Sequence, residues 1–319
     1  MTKPAIVTSF FGVFGALGIL PACVASSIDD VGSVEQGIVG GQTASPMDYP
    51  TVVALEDSPG NWFCTGTLIA SDWVLTAAHC VAEGPTTGLH IRLDDPDVND
   101  AAGGTAVAIS EVHVHPEFDW KAWDNDIALV RLATPVTDRA PTPIHREVVA
   151  AATAVIDVGY GVADNNDNGG GLLRSVDKVT ADCAGANDPS VSGDVLVCMD
   201  ASDGRGSCFG DSGGPTFMRV DGGLVVAGVT SGGTGDLCGA GWDLYTSISA
   251  ELPFVDATMS APPMDPSTPD PDPMTPDPMN PDGTGDDDDD GGCSAGGSHG
   301  AGSLLFAGLA ILVARRRRR

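Results

Sequence analysis

The chain has 319 residues, 15 Lys and Arg against 44 Asp and Glu, and a formal net charge of −29. That length suits one large domain or two small ones, and the charge excludes a nucleic-acid partner, because phosphate contacts need Lys and Arg patches. The acidity is not confined to a tail: residues 38–256 hold nine basic and 31 acidic residues, a net −22. Ten further Asp fall between Asp265 and Asp290, and five of the basic residues are the terminal run Arg315–Arg319. Aromatics at 5% and 42 Gly favour a β-rich, turn-rich chain over a helical bundle.

In chain order, Lys3 precedes an apolar stretch, Ile6 to Leu20, and then Pro21-Ala22-Cys23. Charge, length and position predict a signal peptide over residues 1–23, so the chain leaves the cytoplasm. Residues 24–37 are polar and without periodicity. From Ile38 onwards, short apolar runs rich in Val, Ile and Thr recur between Gly, Pro, Asp and Asn. They are Thr51–Leu55, Thr65–Ile69, Trp73–Ala77, Ala106–Val114, Ile127–Leu132, Ala154–Val158, Val195–Cys198 and Leu224–Val229. Runs of this length and composition predict the strands of an all-β protein. Ser249 to Met259 is the one segment that suits a short helix.

Residues 261–290 turn to Asp, Pro, Met and Thr, a disordered linker that cannot bury a core. In extended polyproline form these residues span on the order of 90 Å. Residues 291–319 hold Cys293, an apolar segment Ala301–Ala314 and the Arg run. That segment is shorter than the roughly 20 residues of a spanning helix. Of eight cysteines, Cys64, Cys80, Cys183, Cys198, Cys208 and Cys238 fall in the central part, and no C-x2-C pair suggests a metal site. Six cysteines in an exported chain suit three disulfides.

Three fragments carry chemistry: Leu75-Thr76-Ala77-Ala78-His79-Cys80, Asp124-Asn125-Asp126-Ile127-Ala128-Leu129, and Gly210-Asp211-Ser212-Gly213-Gly214-Pro215. They supply a base, an orienting carboxylate and a hydroxyl nucleophile. A serine hydroxyl is weak at neutral pH and needs an imidazole to take its proton, held in one tautomer by a carboxylate. Glycines beside Ser212 let backbone N–H groups approach a substrate oxyanion. At these residues, and at Ile38-Val39-Gly40-Gly41, the chain resembles the trypsin/chymotrypsin family of serine endopeptidases.

The resemblance implies two six-stranded antiparallel β-barrels with a short C-terminal helix, over a protease domain of residues 38–260 behind a propeptide of residues 24–37. It implies His79 as general base and acid, Asp126 as its orienter, Ser212 as nucleophile, and an oxyanion hole from Gly210 and Ser212. It implies disulfides Cys64–Cys80, Cys183–Cys198 and Cys208–Cys238. A cut after Gly37 by an activating protease, or autolytically, would free Ile38 to pair with Asp211, although Gln36-Gly37 lacks the basic residue of tryptic activation. The substrates are proteins or peptides. The specificity pocket would be lined by Gly206, Ser231, Gly233 and Asp243. Gly206 stands where a trypsin has Asp, and Asp243 where the family has a pocket-wall glycine. A mixed or broad preference at the cleaved bond follows, with small-to-medium apolar residues as the alternative. Gly232, in place of a common Trp, leaves the neighbouring subsite open.

The C-terminal residues resemble the myxobacterial sorting signal. This implies a sorting protease acting near Cys293, a membrane anchor through the tail, and an extracellular or outer-membrane surface location in a Gram-negative bacterium. Cys23 resembles a lipoprotein box. No cofactor is expected, apart from a structural Ca2+ that the oxygen-rich run Asp94–Asp100 could hold. His113 and His115 share a strand face, but no third ligand accompanies them. Two other functions compete: a catalytically inactive surface binding module on the same fold, and an esterase of the α/β-hydrolase type. The second requires the chain order Ser, Asp, His, whereas here the order is His, Asp, Ser.

Overall fold

A computed structural model describes residues 38–263, apart from 84–86, 121, 123 and 167. The segments predicted as signal peptide, propeptide and sorting signal, and most of the predicted linker, lie outside the described residues, as do Cys23 and Cys293. Thirteen strands occupy the described chain: β1 Gln42–Thr43, β2 Val52–Ser58, β3 Asn61–Ala70, β4 Trp73–Thr76, β5 His90–Leu93, β6 Thr105–Val114, β7 Ala128–Leu132, β8 Ala154–Gly159, β9 Arg174–Val179, β10 Leu196–Asp200, β11 Pro215–Val220, β12 Gly223–Gly233 and β13 Trp242–Ser247. Helices are few among the described residues: α1 Ala78–Val81, α2 Leu252–Ser260 and a 3-10 turn at Cys183–Ala186. None of the described helices is long and apolar enough to cross a membrane.

Antiparallel pairing closes β2-β3-β4-β7-β6-β5 into a six-stranded barrel. The second sheet runs β1-β9-β8-β11-β12-β13-β10. Its six long strands form the second barrel, and the two-residue β1 is added at one edge. That barrel stays open between its end strands, where the isolated bridge Ala181–Cys198 links the chain just after β9 to β10. Helix α2 follows, as the sequence predicts, with Val255 fully buried against the domain.

The core is divided by face. Leu55, Leu68, Val74, Ile91 and Val130 fill the first barrel. Leu75 and Leu129 of that barrel pack with Val158, Phe217 and Val229 of the second and with Ile248 and Val255, which joins barrels and helix. The second barrel's own apolar cluster is small: Val155, Val197, Met199 and Tyr245. Asp157 lies two residues from Val155 on β8, and Asp243 two from Tyr245 on β13, so both carboxylates share this inner face. Strands β5, β9 and β13 are absent from the predicted runs because charged residues interrupt them: Arg92, Arg174, Lys178 and Asp243 are all buried. Strand β11, also absent, opens on Pro215 and carries the exposed Arg219.

Three disulfides form, Cys64–Cys80, Cys183–Cys198 and Cys208–Cys238, and their loops span 16, 15 and 30 residues. Closing loops of this size contributes about 3 kcal/mol each by restricting the unfolded chain. Such bonds persist in an oxidising compartment. Packing in the first barrel sets a stability test. Leu55, fully buried, should cost about 2–5 kcal/mol on replacement by alanine. Exposed Val148→Ala should stay within about 0.5 kcal/mol, both read from urea denaturation midpoints.

Candidate active site

The three motif side chains arrive from both barrels. His79 sits on α1, directly after β4, where Cys80 is fastened to β3 through Cys64. Asp126 precedes β7, and the residue before it, Asn125, adopts φ +53, a left-handed conformation that Asn tolerates. The Asn125 side-chain amide donates to the carbonyl of Glu117, which holds that turn. Ser212 lies in the loop before β11. The flanking Gly210 and Gly213 have φ +95 and +80, and a β-carbon at Gly213 would collide with the Thr76 hydroxyl.

Asp126 is fully buried. Its Oδ1 accepts the backbone N–H of His79 at 2.9 Å, and its Oδ2 faces His79 Nδ1 at 2.7 Å. A carboxylate only accepts, so Nδ1 carries the proton and Nε2 is left as the acceptor. The Ser231 hydroxyl donates to the same Oδ2 at 2.6 Å, and the Thr246 hydroxyl to the Asp126 carbonyl at 2.9 Å. The first barrel's carboxylate is thus held by donors of the second. His79 and Ser212 line one cavity of about 420 Å3, together with Ser207, Ser231, Gly233 and Asp243. Phe209 and Leu237, 71% and 59% exposed, also line it. A larger concavity of about 840 Å3 lies over β8 and β9 and is lined by Lys178, Asp203 and Arg205, without any of the three motif side chains.

Residues without a sequence signature hold the Ser212 loop. The Thr65 hydroxyl donates to the Gly210 carbonyl at 2.8 Å and accepts from the Tyr160 N–H at 3.2 Å. Thr65 N–H donates to the Ser212 carbonyl at 2.8 Å. The Trp62 ring packs against Gly210, leaving no room for a β-carbon there. No spacing rule marks Thr65 or Trp62, because their partners are about 145 residues away in sequence. Among the described residues, no backbone acceptor is recorded for the N–H groups of Gly210 and Ser212.

Asp211 points away from this cavity into the protein. Its Oδ1 accepts Gly161 N–H at 2.8 Å and its Oδ2 accepts Cys208 N–H at 2.9 Å. The carboxyl fills the space beside Gly159 and Gly161, where any side chain would overlap it. Burial pushes Asp211 up to about 7, the two N–H donors oppose this, and the charges of Asp157 and Asp243 add to it. Ile38 is buried, and Val39 bridges Gly206 at 3.0 Å, so the chain enters the domain beside the cavity wall. Ile38 itself has φ +42, strained for a β-branched residue.

At the cavity floor Gly206 leaves space that the Asp243 carboxyl occupies. Asp243 is 5% exposed, and its Oδ2 accepts Ser207 N–H at 3.1 Å. Gly233 has no room for a side chain against the Trp242 carbonyl, whereas Gly232 faces open space. A smaller cavity of about 260 Å3 adjoins Ser231–Gly233 and is lined by Asp124 and Asp188.

The acidic run does not fit a calcium shell. Asp94 is held by the Arg139 guanidinium at 2.6 and 2.7 Å, and Asp95 is buried 3.8 Å from Arg92. Asp97 and Asp100 accept donors of their own loop, Asn99 and Ala102. These carboxylates already face protein donors rather than converging as the six to eight oxygens Ca2+ takes. His113 and His115 diverge: His113 meets Glu111 at 3.0 Å, and His115 meets Glu251 at 3.3 Å.

The trypsin family model matches residues 38–255. Brachyurin of Leptuca pugilator is 31% identical over 236 residues, covering 71% of this chain and all of that protein. Vitamin K-dependent protein C of Oryctolagus cuniculus is 29% identical over 262 residues, 76% of this chain, which spans 56% of that protein's length. The chain belongs to the trypsin family and is a serine endopeptidase by membership.

The uncompensated burial of Asp211 has a sign that can be measured. Its folded pKa, about 7, stands above its ordinary 3.8, so the folded chain keeps a proton that the unfolded chain releases. Stability therefore falls as pH rises through that window. In the uncut Ser212→Ala protein, Asp211→Asn should reduce the loss of urea stability between pH 5 and 7. An unchanged slope would show that Asp211 is ionised throughout.

Proposed function

We propose that the chain is an exported serine endopeptidase that hydrolyses peptide bonds through an acyl-enzyme formed at Ser212, with His79 and Asp126 completing the triad. The observation that carries this reading is the buried Asp126 carboxylate, 2.7 Å from Nδ1 of a histidine that shares one cavity with Ser212. With Nδ1–H donated to Asp126, His79 Nε2 takes the Ser212 proton as Oγ attacks the substrate carbonyl carbon. The carbonyl oxygen becomes an oxyanion that accepts the N–H groups of Gly210 and Ser212. The buried carboxylate stabilises the imidazolium. Collapse breaks the C–N bond, and the leaving amine takes the proton from Nε2. Water then repeats the sequence on the acyl ester and restores Ser212.

Activation follows from a cut after Gly37. The left-handed φ of Ile38 belongs to the uncut chain, and the cut relieves it. The new ammonium supplies the positive charge that Asp211 lacks, and a buried pair of this kind is worth about 3–5 kcal/mol when broken. Support for a mixed preference at the cleaved bond comes from the floor, where Gly206 is joined by Asp243 instead of a wall glycine. An extended peptide would run beside Ser231–Gly233, with the subsite open at Gly232. Export through residues 1–23 agrees with the three disulfides, and display would follow from processing near Cys293, with the Arg run retained inside. Cys23, separated from the domain by the cut after Gly37, would not hold the mature enzyme.

A fluorophosphonate should label Ser212 in the cut protein and label nothing in Ser212→Ala. His79→Ala should lower kcat by at least about 1000-fold. Absence of labelling in the cut protein would leave a binding module. N-terminal sequencing of active enzyme should begin at Ile38, and any other start overturns the activation step.

A further inference from the structure

The interior of the second barrel holds a polar cluster that the triad does not use. Asp157 on β8 is 2% exposed, and its Oδ2 accepts the hydroxyl of fully buried Tyr245 on β13 at 2.8 Å. Its Oδ1 has no partner within hydrogen-bond geometry, although the cross-strand Thr216 hydroxyl is near enough to ease its charge. Asp243 projects from the same face of β13 as Tyr245 and forms the cavity floor. The groups facing Asp243 are Asp157 of β8, Lys178 of β9, Tyr245 of its own strand, and Ser207 and Asp211 of the loop before β11. Asp236 stands at the exposed rim.

Positive charge is scarce here. Lys178 Nζ, on the far side of the cluster, already donates to Asp203 at 3.1 Å and to the carbonyls of Asp200 and Arg205 at 2.8 Å. In the cut enzyme the Ile38 ammonium serves Asp211. Asp157 and Asp243 are then two buried carboxylates with a single shared ammonium. Like charges so placed do not both ionise without a further cation. Two are on offer in the cavity: a proton, or the side chain of an Arg or Lys at the cleaved bond.

We propose that Asp157 is a positioning residue for specificity: its buried charge makes the cavity floor take either a proton or a basic substrate side chain, so that the enzyme's choice between apolar and basic residues at the cleaved bond changes with pH. This rests on the peptidase reading and on the Ser212 cavity as its specificity pocket. With Asp243 protonated, the floor is a neutral, small-walled slot that accepts an apolar side chain. With Asp243 ionised, an apolar side chain strands a buried charge, and a basic one neutralises it. Burial, then the charge of Asp157, raises Asp243 to about 7, and burial raises Asp157 to about 6. Removing the charge at 157 lowers the proton affinity of Asp243 and moves the switch to lower pH.

The experiment uses the cut enzyme, with active sites counted by fluorophosphonate, and two peptides that differ only in Arg or Leu at the cleaved bond. The ratio of their kcat/KM values is followed from pH 5.5 to 9, which cancels every pH effect common to both peptides. In the wild type the Arg:Leu ratio should rise at least about tenfold across this range. Asp157→Asn should raise the ratio at pH 6 by about three- to tenfold and shift the midpoint to lower pH. Asp243→Asn should flatten the profile. Asp157→Thr, a β-branched neutral residue suited to a strand, serves as the second variant should Asn fail to fold. A pH-independent ratio in the wild type, or an unmoved midpoint in a labelled Asp157 variant, overturns the proposal and leaves the peptidase standing. Failure of the wild type to be labelled overturns both.

Discussion

The structure turns on one buried carboxylate. Asp126 has no access to water, and an ionised group in that position is tolerable only where hydrogen bonds replace its hydration. His79 provides two contacts and Ser231 a third, at 2.9, 2.7 and 2.6 Å. The donors come from different barrels: His79 follows β4 of the first, and Ser231 lies on β12 of the second. The same interactions that satisfy the charge therefore fix the relative position of the two sheets at the cleft. Charge-assisted bonds are stronger than neutral ones and more demanding of geometry, so the catalytic arrangement and the inter-barrel arrangement constrain each other. The apolar cluster shared by Leu75, Leu129, Val158, Phe217 and Val229 supplies bulk cohesion beside it. Apolar contact is non-directional and does not set the orientation that Asp126 sets.

The parts of the protein legible in the sequence are those whose physical cause is local. His79, Asp126 and Ser212 lie in motifs whose neighbouring residues shape the backbone around them. Asn125 allows the left-handed turn, and Gly210 and Gly213 allow the close approach of backbone. Strands β2, β3, β4, β6, β7, β8, β10 and β12 coincide with predicted apolar runs because Val, Ile, Leu, Ala and Thr recur along them, joined by Cys198 and Met199 in β10. Strands β5, β9 and β13 are different. Arg92 in β5 is buried against Glu56 of β2, 36 residues away, and Lys178 in β9 is buried against acceptors some 22–27 residues away. A charged residue in a strand reads as solvent-facing until its partner is known, and the partner is a property of the fold. Thr65, Trp62 and Asp157 are hidden for the same reason.

The acidic composition looks different once located. Much of it is exposed: Asp57, Asp138, Asp164 and Asp188 have lowered pKa values through hydrogen bonds from neighbouring side chains, Asn61, Arg139, Asn168 and Ser190 respectively. Solvated carboxylates of this sort govern solubility and long-range repulsion, and they carry no information about the site. Burial separates a second population; besides Glu56, Asp95 and Glu251 it holds four carboxylates at the cleft and inside the second barrel, Asp126, Asp157, Asp211 and Asp243, each no more than 5% exposed.

Among these four the number of hydrogen-bond donors differs. Asp126 has three close donors for its carboxylate. Asp211 has two backbone donors and no cation among the hydrogen bonds that hold it, so an added ammonium changes its energy strongly. Asp157 has one hydroxyl and, among the described residues, an orphaned oxygen, and Asp243 accepts Ser207 N–H at Oδ2. A fully satisfied buried charge is indifferent to what arrives next to it. An under-satisfied one gains more from any cation placed beside it, because fewer hydrogen bonds replace its lost hydration. The second barrel holds such groups beside an apolar cluster of only four buried residues, whereas the first barrel's interior is densely apolar.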